Sequence, residues 1–382
     1  MTHRAAAAAL RRFFRRCSSR AGTAAVSRMD AEVSALDVIV GHTERSGRGV
    51  YAGRDFRQGE VVIERAEPLV AHPTLRNLRT SCYHCLKPLA AVPRESRVPT
   101  HGGRAGGGAA GHFCGEPCAD AARNSYHDAE TAAGDAVAPL VAHCRQHGLK
   151  FPLAAARMAF AIAQGNATPR DADALVRVNF PRGVAPGAWI DEHAMLSLAL
   201  ARGNAVRGGA FGGTSSEVTA EWYVGVVSRM HLNAFRVEIP RIPGGGHRDD
   251  DNDTAVNNDA HDCDGPGGSC DHHSHHSPGN LPSSFKASLE AALASSETGD
   301  AAGTATYLAP SLFNHSCDPN VDVDWVSGDA GMRARTRVDV AKGTELTICY
   351  TDGGAPVDAR RGALEHAYGF VCRCERCVEE GG

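Results

Sequence analysis

The chain has 382 residues, 42% hydrophobic and 22% charged, with 40 Lys and Arg against 44 Asp and Glu for a formal charge of −4. That length supports a buried core in one large domain or two modest ones, and the near balance of charge leaves no basic stripe announcing nucleic-acid binding. Thirteen cysteines without an apolar signal-peptide core point to metal in a reducing compartment rather than to disulfides, and apolar windows broken well short of roughly 20 residues point to a soluble protein without a membrane span.

Residues 1–30 are rich in Arg, Ala and Ser and carry no acid before Asp30, the composition of an organelle transit peptide for a mitochondrion or plastid. A disordered basic tail, or translation starting at Met29, accounts for the same residues. Arg11, Arg12, Arg15 and Arg16 also fit a nuclear signal, which leaves a nuclear or cytoplasmic address open.

Over 31–81 the pattern is that of a small sheet, with short β-rich runs from Asp37 to Val40 and from Glu60 to Glu64 separated by glycine turns. Residues 82–131 hold paired cysteines around a Gly-rich loop and too few apolar residues for a core of their own, so metal must substitute for one. Cys82-x2-Cys85 and Cys114-x3-Cys118 suffice for a single zinc held by four thiolates, without need of His84, His112 or His127.

Within a helical insert over 132–243, helical periodicity runs from Ala132 to Leu232, carried by Val137, Leu140 and Val141, by Met158, Phe160 and Ile162, by Met195, Leu196, Leu198 and Leu200, and by Trp222, Val226 and Met230. The stretch 244–303 turns to Gly, Asp, Asn, Ser and His, with eleven acidic residues by position 300, and reads as disordered apart from a short helix near Phe285 to Ala294. Its His and Cys tract, His261 to His276, reads as solvated low-complexity sequence or a weak metal binder.

In 304–352 alternation returns as a hairpin, Val321, Val323 and Trp325 against Met332, Ala334, Thr336 and Val338 around a Gly328 to Gly331 turn. A strand from Glu345 to Tyr350 follows. In the tail, 353–382, Cys372-x-Cys374-x2-Cys377 puts three thiolates on one tight turn, and tetrahedral closure needs a fourth, for which Cys317 is the candidate. Cys144 and Cys349 fit as small packed residues.

Taken in order, GRGVYA from Gly47 to Ala52, NHSCDPN from Asn314 to Asn320, ELTICY from Glu345 to Tyr350 and the tail cysteines resemble the motif series of SET-domain methyltransferases. The cysteine module, with HLNAF from His231 to Phe235 and YLAPSLFN from Tyr307 to Asn314, narrows the likeness to the SET-and-MYND (SMYD-like) branch. A MYND module usually holds two interleaved zincs. Here His127 resembles the second site's histidine, but Thr131 stands where its cysteine partner would be, which implies a reduced, one-zinc module.

The resemblance implies an α+β fold: small SET-type β-sheets with a knotted C-terminal segment, a helical SET insert, a zinc-binding MYND-like module and a post-SET zinc tail. It implies a protein-lysine N-methyltransferase using S-adenosylmethionine on a lysine of a histone or non-histone protein, with two structural zincs and a monomeric chain. Tyr350 and Tyr368 would be catalytic. Gly47, Arg48, Gly49, Asn233, Asn314, His315, Tyr350 and Phe370 would hold the cofactor; Cys82, Cys85, Cys114 and Cys118 would bind one zinc, and Cys317, Cys372, Cys374 and Cys377 the other. Methyl transfer from a sulfonium is a direct displacement that needs a neutral amine, collinear approach and a dry channel, with no acid or metal at the reacting centre. The alternative is a catalytically weak SET-type zinc scaffold that mediates protein interactions.

Overall fold

The computed structural model describes residues 28–43, 47–100, 111–178, 185–208, 215–239 and 301–381. The expected transit segment, the His and Cys tract and the helix near Phe285 lie outside the described residues.

A short helix, α1 (Arg28–Ser34), leads into β1 (Val38–Thr43), which pairs antiparallel with β2 (Gly47–Ala52) in the register Val38 with Ala52 through Thr43 with Gly47. Gly47 takes φ +69°, a left-handed conformation that glycine enters without a Cβ penalty. β3 (Val61–Ala66) and β4 (Val70–Pro73) follow, the latter buried along its whole length. The cysteine module contributes β5 (Val98–Pro99), β6 (His112–Phe113) and α2 (Glu116–Ala122). A wide π turn, Arg123–His127, joins α2 to α3 (Asp128–Ala133), so one continuous helical path crosses the expected boundary at residue 131.

Four helices come next: α4 (Ala138–His147), α5 (Phe151–Ala163), α6 (Gly187–Val206) and α7 (Ala220–Asn233). All residues of α5 are buried, the mark of a helix surrounded by other elements. On α6 the apolar period is only partly a core period: Leu196 and Leu200 are buried, whereas Leu198 faces solvent. At the start of α7 the Thr219 hydroxyl accepts from the Trp222 amide at 3.1 Å, a cap worth about 1 kcal/mol.

The helical periodicity read to Leu232 ends at Asn233, where the chain passes directly into β7 (Ala234–Glu238). One expectation needs correction here. The insertion expected over 244–303 ends before Ala301, because β8 (Ala301–Thr306) begins there, central in a sheet ordered β4-β8-β7. β8 is built from Ala, Gly and Thr and is wholly buried. A Cβ at Gly303 would stand 2.4 Å from the His72 carbonyl and 2.9 Å from the Leu86 side chain, so only a glycine allows this close packing.

The C-terminal part adds β9 (Asn314–His315), the expected hairpin of β10 (Val321–Asp324) and β11 (Met332–Thr336), β12 (Glu345–Ile348), α8 (Val357–Tyr368) and α9 (Glu375–Glu380). β10, β11 and β3 form one antiparallel sheet, and β1-β2-β12-β9 form another, in which β12 and β9 run parallel. That second sheet brings GRGVYA, NHSCDPN and ELTICY side by side, although they lie more than 260 residues apart in sequence at the extremes.

Candidate active site

Cysteine sulfurs meet in two places. Those of Cys82, Cys85, Cys114 and Cys118 lie within 4.8 Å of one another, as do those of Cys317, Cys372, Cys374 and Cys377. Separations of 3.5 Å (Cys114 to Cys118), 3.7 Å (Cys85 to Cys114), 3.4 Å (Cys317 to Cys377) and 3.9 Å (Cys317 to Cys372) bracket the about 3.8 Å edge of a zinc–sulfur tetrahedron with 2.3 Å bonds. Both sets therefore fit zinc. In the first, the knuckle is closed by Leu86, a non-glycine residue at φ +66° whose amide bonds to the Cys82 carbonyl; such a conformation costs about 1–2 kcal/mol and is held by complete burial of the leucine.

His127, the residue resembling a second-zinc ligand, has other partners. Its Nδ1 is 3.0 Å from the Glu130 carboxylate and its Nε2 is 2.6 Å from the Thr100 carbonyl. Glu130 also accepts from the Tyr83 hydroxyl, and the Arg157 guanidinium of α5 lies 4.4 Å from the Tyr83 and Tyr126 ring centres. A polar and aromatic network fills this place, and among the described residues the module brings together only one four-cysteine set.

The NHSCDPN loop is fastened to β12 at both ends. Asn314 and His315 pair with Thr347 and Ile348. At the other end Asn320 acts like a strand backbone, donating from Nδ2 to the Glu345 carbonyl and accepting the Thr347 amide at Oδ1, each at 2.8 Å. Both amide hydrogens of Asn314 are committed, one to the Arg48 carbonyl at 3.1 Å and one to Glu345 Oε1 at 2.8 Å. Only an NH2 group can face two acceptors, so the amide orientation is determined and Oδ1 is its acceptor end. Gly49 makes room: a Cβ there would lie 2.6 Å from Glu345 Oε1 and 2.7 Å from Asn314 Nδ2.

His315 links this loop to both the tail and the tyrosine. Its Nδ1 accepts the Tyr350 amide at 3.0 Å, so the neutral ring carries its proton on Nε2, which stands 3.3 Å from the Cys317 sulfur. Burial, with the Arg360 guanidinium second, pushes the imidazole down to about 4. Arg360 is itself enclosed in the tail, donating to Glu380 at 2.6 Å and to the Cys377 sulfur at 3.6 Å.

Tyr350 lies two residues beyond the end of β12, not within the strand, and its hydroxyl donates to the Phe313 carbonyl. Its ring is 4.9 Å from that of Tyr368 and 5.3 Å from His315, and Phe370 is 6.1 Å from His315. Burial, then the neighbouring Tyr368 and Glu345, raises the Tyr350 phenol above its ordinary value, so it stays neutral at physiological pH. Gly369, at φ +76°, ends α8 and turns the chain between the two aromatics.

An open cleft of about 1150 Å³ is lined by Asn314, His315, Glu345, Thr347, Phe370 and the tail from Val371 onward. Its chemistry fits S-adenosylmethionine: an acceptor amide and a carboxylate for an ammonium, and flat rings for a purine. Gly47, Arg48 and Gly49 lie on β2 beside this set. The Arg48 guanidinium reaches the Ala174 carbonyl and Met29, and the Asn233 amide donates at 2.7 Å to the carbonyls of Val176 and Arg229. Neither side chain lines the cleft. Glu345 and Asn320 escaped the sequence reading, though strand alternation puts Glu345 and Thr347 on one face.

The SET domain family model matches residues 47–351, from the first residue of β2 to the one after Tyr350. The chain belongs to the SET-domain family. It is similar to the histone-lysine N-methyltransferase ATXR4 of Arabidopsis thaliana, 29% identical over 91% of this chain and 88% of that protein. A SET and MYND domain-containing protein of Dictyostelium discoideum is 21% identical over 84% of this chain and 77% of its own length. Human histone-lysine N-methyltransferase SMYD3 is 41% identical over 75 residues, 20% of this chain and 17% of that protein. This SET-domain chain is a protein-lysine methyltransferase that uses S-adenosylmethionine. No helix among the described residues is long and apolar enough to cross a membrane.

Proposed function

We propose that this SET protein belongs to the SET-and-MYND branch with a module reduced to one zinc, and that it methylates a lysine of a histone or a non-histone protein as a monomer. The observation that carries the reading is the meeting of Asn314, His315 and Tyr350 at the β9–β12 pair, next to a cleft walled by the three-cysteine tail whose set Cys317 completes. Cys317 belongs to the tail set as well as to the Asn314 loop, which supports a zinc-closed post-SET tail and the knotted C-terminal arrangement of the family. An organelle address follows from residues 1–30 and favours a non-histone target; a nuclear or cytoplasmic one would leave histones open.

S-adenosylmethionine, when bound, supplies a methyl group on a cationic sulfonium. The chain's own residues do the rest. Asn314, with Gly47, Arg48 and Gly49 of β2 around it, and His315 hold the cofactor and Phe370 flanks its base, while Asn233, at the end of α7, has only its amide oxygen left for a ribose contact, its hydrogens being held by Val176 and Arg229. Tyr350 donates its hydroxyl hydrogen bond to the Phe313 carbonyl and so keeps lone pairs available to orient the lysine amine, while Tyr368 walls the channel. A dry aromatic channel beside a sulfonium favours the neutral amine over the ammonium, which in water holds its proton up to about pH 10.4.

One observation favours the alternative of a weakly catalytic scaffold: Arg48 and Asn233 direct their side-chain donors at the carbonyls of Ala174 and Val176. The test is transfer of a radiolabelled methyl group from S-adenosylmethionine to organelle and nuclear extracts, comparing the wild type with Tyr350→Phe and Cys317→Ser. Lysine labelling that Tyr350→Phe abolishes supports the enzyme. No labelling, with no cofactor binding by calorimetry, establishes the scaffold.

A further inference from the structure

Glu345 is a carboxylate on the wall of the cleft that Arg373 and Arg376 also line. Its Oε1 accepts from the Asn314 amide at 2.8 Å, and it makes no ion pair among the described residues. A carboxylate usually gathers Lys, Arg or several backbone donors when partly enclosed; this one has a neutral amide. The neighbouring strand is shaped around the pair, since a Cβ at Gly49 would collide with both Glu345 Oε1 and Asn314 Nδ2. Three strands, β2, β9 and β12, thus converge on one acceptor assembly: the Glu345 carboxylate and the Asn314 Oδ1, which has no partner among the described residues.

We propose that Glu345 selects for the α-ammonium of the cofactor, by holding Asn314 with its amide oxygen as the free end and by supplying the negative charge that the ammonium balances. This rests on the placement of S-adenosylmethionine in the cleft proposed above. The cofactor carries three recognisable parts: a purine nucleoside, a sulfur centre and an amino-acid end. The nucleoside has donors without charge and the sulfonium has charge without an N–H donor, so two acceptors with a net negative charge together suit the ammonium. An uncharged thioether analogue without the amino-acid end gains nothing from Glu345.

The experiment is calorimetry on the full chain at fixed ionic strength with two ligands, S-adenosylhomocysteine and 5′-methylthioadenosine, the second lacking amine and carboxylate. Glu345→Gln retains an acceptor for Asn314 and removes only the charge. It is expected to weaken S-adenosylhomocysteine by about 10- to 100-fold, the scale of one charge-assisted contact, and to leave 5′-methylthioadenosine within about twofold. Equal losses for both ligands would reveal a merely structural role and overturn the proposal, as would unchanged S-adenosylhomocysteine binding. A wild-type measurement guards against a variant that fails to fold: N-acetylated S-adenosylhomocysteine, whose amine is uncharged, should bind at least about tenfold more weakly than the parent, and equal affinity sinks the idea. Failure of the wild type to bind S-adenosylhomocysteine at all points instead at the cofactor placement.

Discussion

The Nε2 of His315 stands 3.3 Å from the sulfur of Cys317, while the other ring nitrogen accepts the Tyr350 amide at 3.0 Å. One imidazole therefore links a sulfur of the second cysteine set to the backbone of Tyr350.

Cys317→Ser is expected to release the tail zinc and to weaken cofactor binding together, because the serine leaves His315 without its sulfur partner and the tail with three thiolates. Metal analysis should fall from about two zincs per chain to about one, with S-adenosylhomocysteine affinity down at least about tenfold. A variant that keeps both metals removes Cys317 from the ligand set.

Tyr350→Phe deletes the hydroxyl that donates to the Phe313 carbonyl and is expected to cost about 1 kcal/mol of stability. Turnover should drop by about 100-fold or more through loss of amine orientation, with cofactor affinity within about threefold. Calorimetry beside steady-state kinetics separates the effects; equal loss in both would assign the tyrosine to cofactor binding alone.

Two nearby glycines should behave differently. Gly49→Ala puts a methyl 2.6 Å from Glu345 Oε1 and 2.7 Å from Asn314 Nδ2, forcing the cleft apart, and cofactor binding should fall at least about tenfold. At Gly47 there is open space but φ is +69°, so Gly47→Ala should cost about 1–2 kcal/mol of stability with a smaller loss of affinity than Gly49→Ala. Urea melts and calorimetry on the pair decide it.

Stability should depend on pH through Glu192 in α6. Burial, only partly offset by the hydrogen bond donated by the Tyr223 hydroxyl at 2.9 Å, and with Asp191 adding, pushes this carboxyl from 4.5 up to about 7; His143 lies 3.4 Å away. A raised acid favours the protonated folded state, so its contribution is full below 4.5 and is lost as pH rises from 4.5 through 7. The expected loss is about 3 kcal/mol. Glu192→Gln should flatten the decline in urea midpoints between about pH 4.5 and 8; an identical decline in the variant would move its origin elsewhere.

Dense, short-range patterns were readable from the sequence: the two cysteine sets meet as their spacing implies, and the β10–β11 hairpin pairs as its alternation implies. What escaped was whatever lacks a large apolar residue or breaks a local rule. β8, from Ala301 to Thr306, carries no bulky side chain, so hydrophobic pattern cannot distinguish it from a polar loop; it is central because β4 and β7 close on both sides. Arg157 sits in a buried helix where a charge has no local rationale, and only Tyr83 and Tyr126, brought in from the cysteine module, supply one. In the site, Asn314 and His315 were legible as a motif, whereas the aim of Asn233 and Arg48 at Val176 and Ala174 depends on a segment far from either in sequence.

The pairing of Glu238 with Ala301 across β7 and β8 means that the chain leaves and rejoins the sheet at neighbouring positions. Two positions held opposite one another can be joined by connections of very different length, because the entropy of closure grows only logarithmically with the number of residues between them. A change in the length of that connection therefore costs the β7–β8 pairing little, which makes the junction of Glu238 and Ala301 a natural port for grafting a reporter.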